Sequence, residues 1–327
     1  MTGIIILNWN GWEDTIDCLK SQYKTIGSDF FVILVDNGSA DDSIEHLKEY
    51  IIQEGITLHI FNGDDSNLPS SISHGDIILY PLGENYGFAK GNNKGLELAK
   101  RYSPEYCLLL NNDTVVTPNY LSKLEEFINT KVDYSVLTPM ICFYSDKNIV
   151  WNCGGSITFG FRKYFYPNKA ISSIREKTNI DISFITGCAL FFRTKLIASD
   201  QLLTERFFHG EEDFDFSMRM QSKNVKMACV LDSVIYHKVG RATKKLNNLG
   251  KTYAHYLNRY IDMRLKLSSF KYSIWKFLSN AYIFVILYRQ RVNIGKIFHF
   301  LKKLNLESAS MDCVTKEKFF NILKEGI

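Results

Sequence analysis

Four apolar runs, at residues 3–9, 30–35, 77–82 and 106–111, punctuate the first third of the chain. Each is continuous rather than alternating, the pattern of strands covered on both faces in a parallel sheet. Between them the period changes. Glu13 to Lys24 sets Ile16, Leu19 and Tyr23 at helical spacing; Asp42 to Gln53 sets Ile44, Leu47, Ile51 and Ile52; Gly87 to Arg101 sets Leu96 and Ala99. Asp41 and Ser43 are placed to cap the second helix. Strand and helix alternating at this spacing predict a doubly wound α/β sheet. The rhythm breaks at Asn62–Gly75, a run of turn formers that predicts a surface loop. Residues 131–185 mix short β runs, 156–161 among them, with a polar loop around 167–180. From 243 to 303 the pattern is helical, and no internal repeat is visible.

Composition adds a sizeable core, since 46% of the 327 residues are hydrophobic and 14% aromatic. That suits one large α/β domain, or a domain of about 230 residues with an appended segment. The seven cysteines (Cys18, Cys107, Cys142, Cys153, Cys188, Cys229, Cys313) contain no C-x-x-C pair. Zinc and thiol-redox motifs are therefore unsupported, and reduced, mostly buried thiols of a cytoplasmic protein are expected. Met1 to Asn8 has no basic stretch and only four consecutive apolar residues, which predicts a first strand rather than a signal peptide.

Charge divides the chain. The net charge is +4, yet residues 241–303 hold 14 Lys and Arg against one acid, Asp262, while residues 1–240 carry a balance of −8. The partition expected is therefore 1–240 and 241–327. The acidic body disfavours nucleic acid as a partner. Residues 274–288 are apolar but include Lys276, Ser279 and Asn280 and stop at Arg289, short of the roughly 20 residues that span a bilayer. Basic residues interleaved with Tyr272, Trp275, Phe277, Tyr282, Phe284 and Tyr288 fit a helix lying on an anionic membrane surface. Packing onto the rest of the chain, or a homodimer interface, fits equally well.

The candidate chemistry sits where strands end. Cys107-Leu108-Leu109-Leu110 runs into Asn111-Asn112-Asp113 and resumes as Thr114-Val115-Val116. A carboxylate at the end of a buried strand needs a partner or a cation, and ligands bind at the carboxyl ends of strands in open α/β sheets. Oxygen ligands there suit Mg²⁺ or Mn²⁺, which hold a diphosphate. Val35-Asp36-Asn37-Gly38-Ser39 ends a second strand in an aspartate able to accept hydrogen bonds from a base or ribose. A turn aspartate without a ligand fits either segment taken alone. Asn85-Tyr86-Gly87-Phe88-Ala89-Lys90-Gly91-Asn92-Asn93-Lys94-Gly95 opens a helix on glycines, and helix-start N–H groups suit phosphate or sugar hydroxyls. It is neither a G-x-G-x-x-G nor a Walker loop. Phe207 to Asp215 packs Glu211, Glu212, Asp213 and Asp215 among phenylalanines, and crowding of that kind raises the pKa of at least one carboxyl, as a base requires. Val234-Ile235-Tyr236-His237 ends an apolar stretch in a histidine, which beside a divalent cation would serve as a further ligand.

In this order the segments resemble the inverting family 2 glycosyltransferases of the GT-A fold, and most of all the rhamnosyltransferase-type branch that builds bacterial surface polysaccharides. The residues carrying the match are Leu7-Asn8-Trp9-Asn10-Gly11, Val35-Asp36-Asn37-Gly38-Ser39, Asn85-x-Gly87-Phe88-Ala89-x-Gly91-Asn92-Asn93 and Leu110-Asn111-Asn112-Asp113. They continue with Thr186-Gly187-Cys188-Ala189, Glu212-Asp213-Phe214-Asp215 and Tyr236-His237, spanning residues 3–240. The resemblance implies a Rossmann-like, doubly wound mixed sheet with the basic helical segment appended. It implies that Leu7, Asn8 and Asp36 line the base and ribose, with Asn85, Asn92 and Asn112 on the donor side. Asn92 stands where many relatives carry an arginine. Asn111 and Asp113 stand at the ends of the family's D-x-D metal motif, with His237 completing the Mg²⁺ or Mn²⁺ contacts, and Asn111 departs from the usual carboxylate. Asp213 stands at the catalytic base, with Gly187, Cys188 and Glu212 on the acceptor side, to which the mixed stretch 131–185 is also expected to contribute.

The activity so implied is sugar transfer from a dTDP-rhamnose or UDP-hexose type of donor to a saccharide or lipid-linked acceptor. Its expected location is cytoplasmic, on the inner face of the cell membrane. The alternative is a catalytically degenerate, membrane-associated scaffold. A nucleotidyltransferase would need a basic, glycine-rich phosphate loop after the first strand, where Asn8-Trp9-Asn10-Gly11 is followed by acids.

Overall fold

The computed structural model describes residues 1–64, 68–197, 201–239 and 248–326. The first third forms β1 (Thr2–Asn8), α1 (Trp12–Gln22), β2 (Phe30–Asp36), α2 (Ser43–Gln53), β3 (Leu58–Ile60), β4 (Ile77–Pro81), α3 (Phe88–Lys100) and β5 (Tyr106–Asn111). The four expected strands lie side by side and parallel, in the order β5-β1-β2-β4, with β3 at the edge. Because β1 pairs with β2 on one side and β5 on the other, a crevice opens at its carboxyl end, where Asn8 is in register with Asp36 and Leu7 with Asn111.

The second half adds β6 (Thr114–Val116), α4 (Tyr120–Thr130), β7 (Tyr134–Phe143), β8 (Val150–Asn152), β9 (Gly155–Thr158), β10 (Phe161–Tyr164), β11 (Asn179–Ile182), β12 (Ala189–Arg193), α5 (Glu212–Ser222) and β13 (Lys226–His237). β12 inserts antiparallel between β5 and β7, and β13 runs parallel to β7, so the sheet is mixed. The apolar run expected at 156–161 is not one strand. It turns at Phe159 and Gly160, both at positive φ, and closes the β9–β10 hairpin. The cap expected for α2 also differs. Asp42 takes the N-cap position in left-handed backbone, while Ser43 donates to Asp41 beside it.

Side chains alternate between two cores. Ile4, Ile6, Val32, Leu34 and Leu108 meet α1, α2 and α4 through Leu19, Leu47 and Leu121, whereas Ile5, Ile33, Val35 and Leu109 meet α3 and α5 through Leu96, Ala99 and Phe216. Gly95 is what lets α3 lie so close: a Cβ there would stand 2.7 Å from both Ile5 and Val35. All seven thiols are free, six of them buried.

The expected boundary at 240 and the expected helix start at 243 fall outside the described residues. Beyond them lie α6 (Asn248–Lys266), α7 (Ser269–Arg289), α8 (Ile294–Ser310) and α9 (Lys316–Glu325). Their apolar faces build a third core, in which Tyr253, Leu257, Trp275, Ile283 and Phe300 close over Ile157, Phe184, Phe207 and Phe214 of the α/β part.

Candidate active site

Three strand ends meet at the crevice. Asn8 is fully buried and donates from its amide to Asp36 (2.8 Å) and Ser39 (3.1 Å), while Thr15 Oγ1 donates to its carbonyl oxygen (2.8 Å). Asp36 also accepts from the Ser39 amide (3.0 Å) and hydroxyl (2.6 Å), so its carboxylate is enclosed and shapes the floor of the crevice. The Asn112 amide donates to Thr15 (2.9 Å) and to the Gly11 carbonyl (3.3 Å), tying the end of β5 to the start of α1. Thr15 joins both networks, a role that nothing in the sequence signals across nearly a hundred residues.

The glycine-bearing turn is anchored to β2 by Asn37. Its side chain accepts from the Tyr86 N–H (3.0 Å) and donates to Asn85 Oδ1 (3.1 Å) and the Gly87 carbonyl (3.2 Å). Gly87 has φ 84°, and a Cβ on it would stand 2.2 Å from the carbonyl oxygen of Phe208. Only glycine permits that approach, which brings the turn against the loop before the acidic cluster. Gly91 packs on Leu7, a Cβ there lying 2.7 Å from Leu7 Cδ1. Asn92 is buried and donates back to the Phe88 carbonyl one turn earlier (2.9 Å). Its neighbour Asn93 instead braces the 203–205 segment, exchanging hydrogen bonds with Leu203.

At the metal position, His237 Nε2 lies 3.1 Å from the Asp113 carboxylate. β13 pairs with β6 so that His237 faces Thr114, the Lys238 N–H donates to the Asp113 carbonyl (2.9 Å), and the Trp151 ring leans edge-on against the imidazole at 4.4 Å. Lys238 is itself held by Asp14 and Asp17 of α1, each at 2.7 Å. Two cis ligands about 2.1 Å from an octahedral ion stand about 3.0 Å apart, so the spacing of the pair fits a shared Mg²⁺ or Mn²⁺. Asp113 Oδ1 is buried without a hydrogen-bond donor beyond the imidazole, as an oxygen left for a cation would be. Among the described residues no group of three His, Cys, Asp or Glu side chains could hold an ion.

The acidic cluster begins with Gly210 and Glu211, both at positive φ (86° and 78°), which turn the chain sharply into α5. Left-handed backbone costs a non-glycine residue about 1–2 kcal/mol, and side chains of α6 hold it in place. Asn258 donates to the carbonyls of His209 (3.0 Å) and Gly210 (3.2 Å), and Arg259 pairs with the buried Glu211 while lying over the Phe214 ring. Burial, with the charge of Asp213 added, pushes the Glu212 carboxyl up to about 8. Burial also acts on Asp215, but Arg219 and Lys266 outweigh it and hold that carboxyl below its ordinary value. Asp213 alone among the four carboxylates is not buried. It lies against Gly187, whose missing side chain would approach the Asp213 Cβ at 3.9 Å. Ser217 fixes the contact, donating to the Asp213 carbonyl (2.7 Å) and accepting from the Ile185 N–H (3.1 Å).

Cys188, the acceptor-side candidate next to Gly187, is buried. Its thiol points into the core beneath Asn111, where burial raises its pKa well above the ordinary value, and its carbonyl accepts from the Asn111 N–H (2.9 Å). Residues 187 and 188 therefore stand between the two halves of the site: Gly187 lies beside Phe88 and near Asp213, and Cys188 holds the end of β5. A cleft of about 740 Å³ lined by Tyr134, Tyr164, Tyr166 and Asp181 shares none of the predicted site residues.

The sequence profile described as Glycosyl transferase family 2 matches residues 3–199. The chain belongs to glycosyl transferase family 2. A second profile, Glycosyl transferase family group 2, matches residues 106–293 of this family 2 glycosyltransferase and so reaches into α7. Among solved structures, S. aureus TarS 1-349 in complex with UDP is similar at TM-score 0.55 and 15% identity, covering 98% of this chain and 86% of that one. S. aureus TarS is similar at TM-score 0.51 and 16% identity over 80% of this chain, which spans 39% of that longer chain. The mannosyltransferase PcManGT from Pyrobaculum calidifontis, in complex with GDP-Man and Mn²⁺, is similar at TM-score 0.50 and 11% identity, covering 80% of this chain and 61% of that one. At such identities the likeness is one of fold, the GT-A Rossmann-like arrangement. No curated protein matches the chain.

Proposed function

We propose that this family 2 glycosyltransferase transfers a sugar, with inversion, from a nucleoside-diphosphate donor to a hydroxyl of a saccharide or lipid-linked saccharide in surface-polysaccharide synthesis at the cytoplasmic face of the cell membrane. The observation that carries the reading is the 187–188 turn, with the solvent-reaching Asp213 on one side and the end of β5 leading to the Asp113–His237 pair on the other. The nucleotide bound in the TarS complex, and the GDP-Man and Mn²⁺ bound to PcManGT, support a nucleotide-sugar donor on this fold. Rhamnose carried on dTDP is the first candidate, by resemblance, and a UDP-hexose the second.

In this reading Leu7, Asn8, Asp36, Asn85 and Asn112 build the floor on which the nucleoside rests. Asp113 and His237, with Asn111 two residues before Asp113, would hold a divalent cation, which supplies charge compensation for the departing diphosphate. Asp213 accepts the proton of the acceptor hydroxyl as its oxygen attacks the anomeric carbon and the bond to the diphosphate breaks on the opposite face. Gly187, on the acceptor side in this reading, lets the Phe88 ring pack beside that carboxylate, a Cβ there lying 3.2 Å from Phe88. Buried Glu212 and ion-paired Asp215 leave Asp213 as the carboxylate open to substrate.

A thermal-shift panel of dTDP-, UDP- and GDP-sugars, with and without Mn²⁺ or Mg²⁺, tests the reading. A ligand at a hundred times its dissociation constant stabilises the fold by about 2.7 kcal/mol. A metal-dependent shift with one nucleotide sugar is expected and names the donor class. No shift with any of them overturns the reading in favour of a non-catalytic scaffold.

A further inference from the structure

Eleven of the twenty exposed large apolar side chains among the described residues lie between Leu265 and Leu306. On α7 they form one stripe. Phe270, Ile274, Phe277, Val285 and Tyr288 recur three, four, seven or eight residues apart, while Trp275, Ser279, Ile283 and Leu287 occupy the opposite face and enter the third core. Phe270 and Phe277 are 76% and 73% exposed, which no soluble packing role explains. Residues 263–306 carry nine Lys and Arg and no acid, and Lys271, Arg289, Arg291 and Lys296 are exposed around the stripe.

We infer that the outer face of α7, continued by Ile294 and Phe298 of α8, is a docking surface for an anionic lipid bilayer. The inference deepens the proposed function and rests on it for its purpose, presentation of a membrane-borne acceptor. Charge chooses the occupant. A second copy would bring the same basic, acid-free face against this one, with no carboxylate to pair, whereas an anionic headgroup layer complements it. The aromatic rings suit the boundary between headgroups and acyl chains. No described helix is long and apolar enough to cross a membrane, and the inward stripe of α7 is already committed to the core, so the helix lies along the surface.

Co-sedimentation of the full chain with vesicles tests this, using phosphatidylcholine alone and phosphatidylcholine mixed with phosphatidylglycerol. Wild type is expected on the mixed vesicles only, with binding weakened by about 0.5 M salt. Phe270→Ser with Phe277→Ser, and separately Lys271→Glu with Lys296→Glu, should each reduce bound protein at least about tenfold. The nucleotide-induced thermal shift of both variants should match wild type, which shows that they fold. Equal sedimentation of variants and wild type, or equal binding to both vesicle types, overturns the proposal. So does a concentration-dependent dimer that the Phe variants abolish while wild type ignores vesicles. Because the thermal shift is read separately, loss of nucleotide response in wild type would sink the donor reading without touching the vesicle result.

Discussion

A carboxylate works as a base only where an acceptor can reach it, and the four acids at 211–215 divide on that criterion. Glu211 is locked to Arg259, Asp215 is held by Arg219 and Lys266, and Glu212 is buried with its pKa raised. That leaves Asp213, half-buried and facing Gly187. Asp213→Asn should therefore lower transfer by about 10²–10⁴ while the donor-induced thermal shift stays as in wild type. Turnover near normal in a coupled assay of nucleoside-diphosphate release would remove Asp213 from the mechanism. The crowding of these acids was readable along the chain, but which one stays open was not, because Arg259 and Lys266, which hold Glu211 and help Arg219 hold Asp215, come from α6 some 50 residues later. Nor does the sequence tell that the Asn92 amide bonds back to its own helix or that the Cys188 thiol is buried. A residue's place in a motif does not reveal whether its side chain turns to the ligand, to its own helix or into the core.

The four expected strands and three expected helices of the first third lie within a residue or two of their expected limits, because each apolar run is mostly buried, whereas the short, half-buried β3 was not expected. Later elements were less legible. β7, β12 and β13 pair with partners distant in sequence, and the β9–β10 turn rests on a Phe–Gly pair at positive φ that reads as part of a β run. At the scale of the element, the first turn of α5 carries a pH signature. Glu212 has its pKa raised from 4.5 to about 8, so the folded state prefers it protonated. The stability this confers is whole below about pH 4.5, where the unfolded chain is protonated too, and is lost as pH rises toward 8, by at most about 1.4 kcal/mol for each pH step of one. Glu212→Gln removes that loss. The variant should gain stability relative to wild type steadily from pH 5 to 8, read as urea midpoints at each pH. Parallel curves for the two proteins would show that Glu212 ionises freely in the folded state.

On the scale of the whole molecule, charge divides the chain at 240, while packing joins the helices beyond 248 to the α/β part. Phe184, Phe207 and Phe214 are covered by α6 and its neighbours, and Asn258 and Arg259 hold the strained residues that lead into Asp213. The basic segment is thus bound into the catalytic half by its inner face, whatever its outer face meets. Arg259 is the test of that coupling. Removing one partner of a buried ion pair costs about 3–5 kcal/mol because the other charge is left unpaired, whereas replacing both by neutral groups of similar size is often close to neutral. Arg259→Met should therefore lower the urea midpoint sharply, and Arg259→Met with Glu211→Gln should recover most of it. If the double variant stays as unstable as the single one, the loss comes from the guanidinium's contact with Phe214 rather than from the stranded carboxylate. If neither variant loses stability, the C-terminal helices do not brace the catalytic loop, and the two charge regions act as independent parts after all.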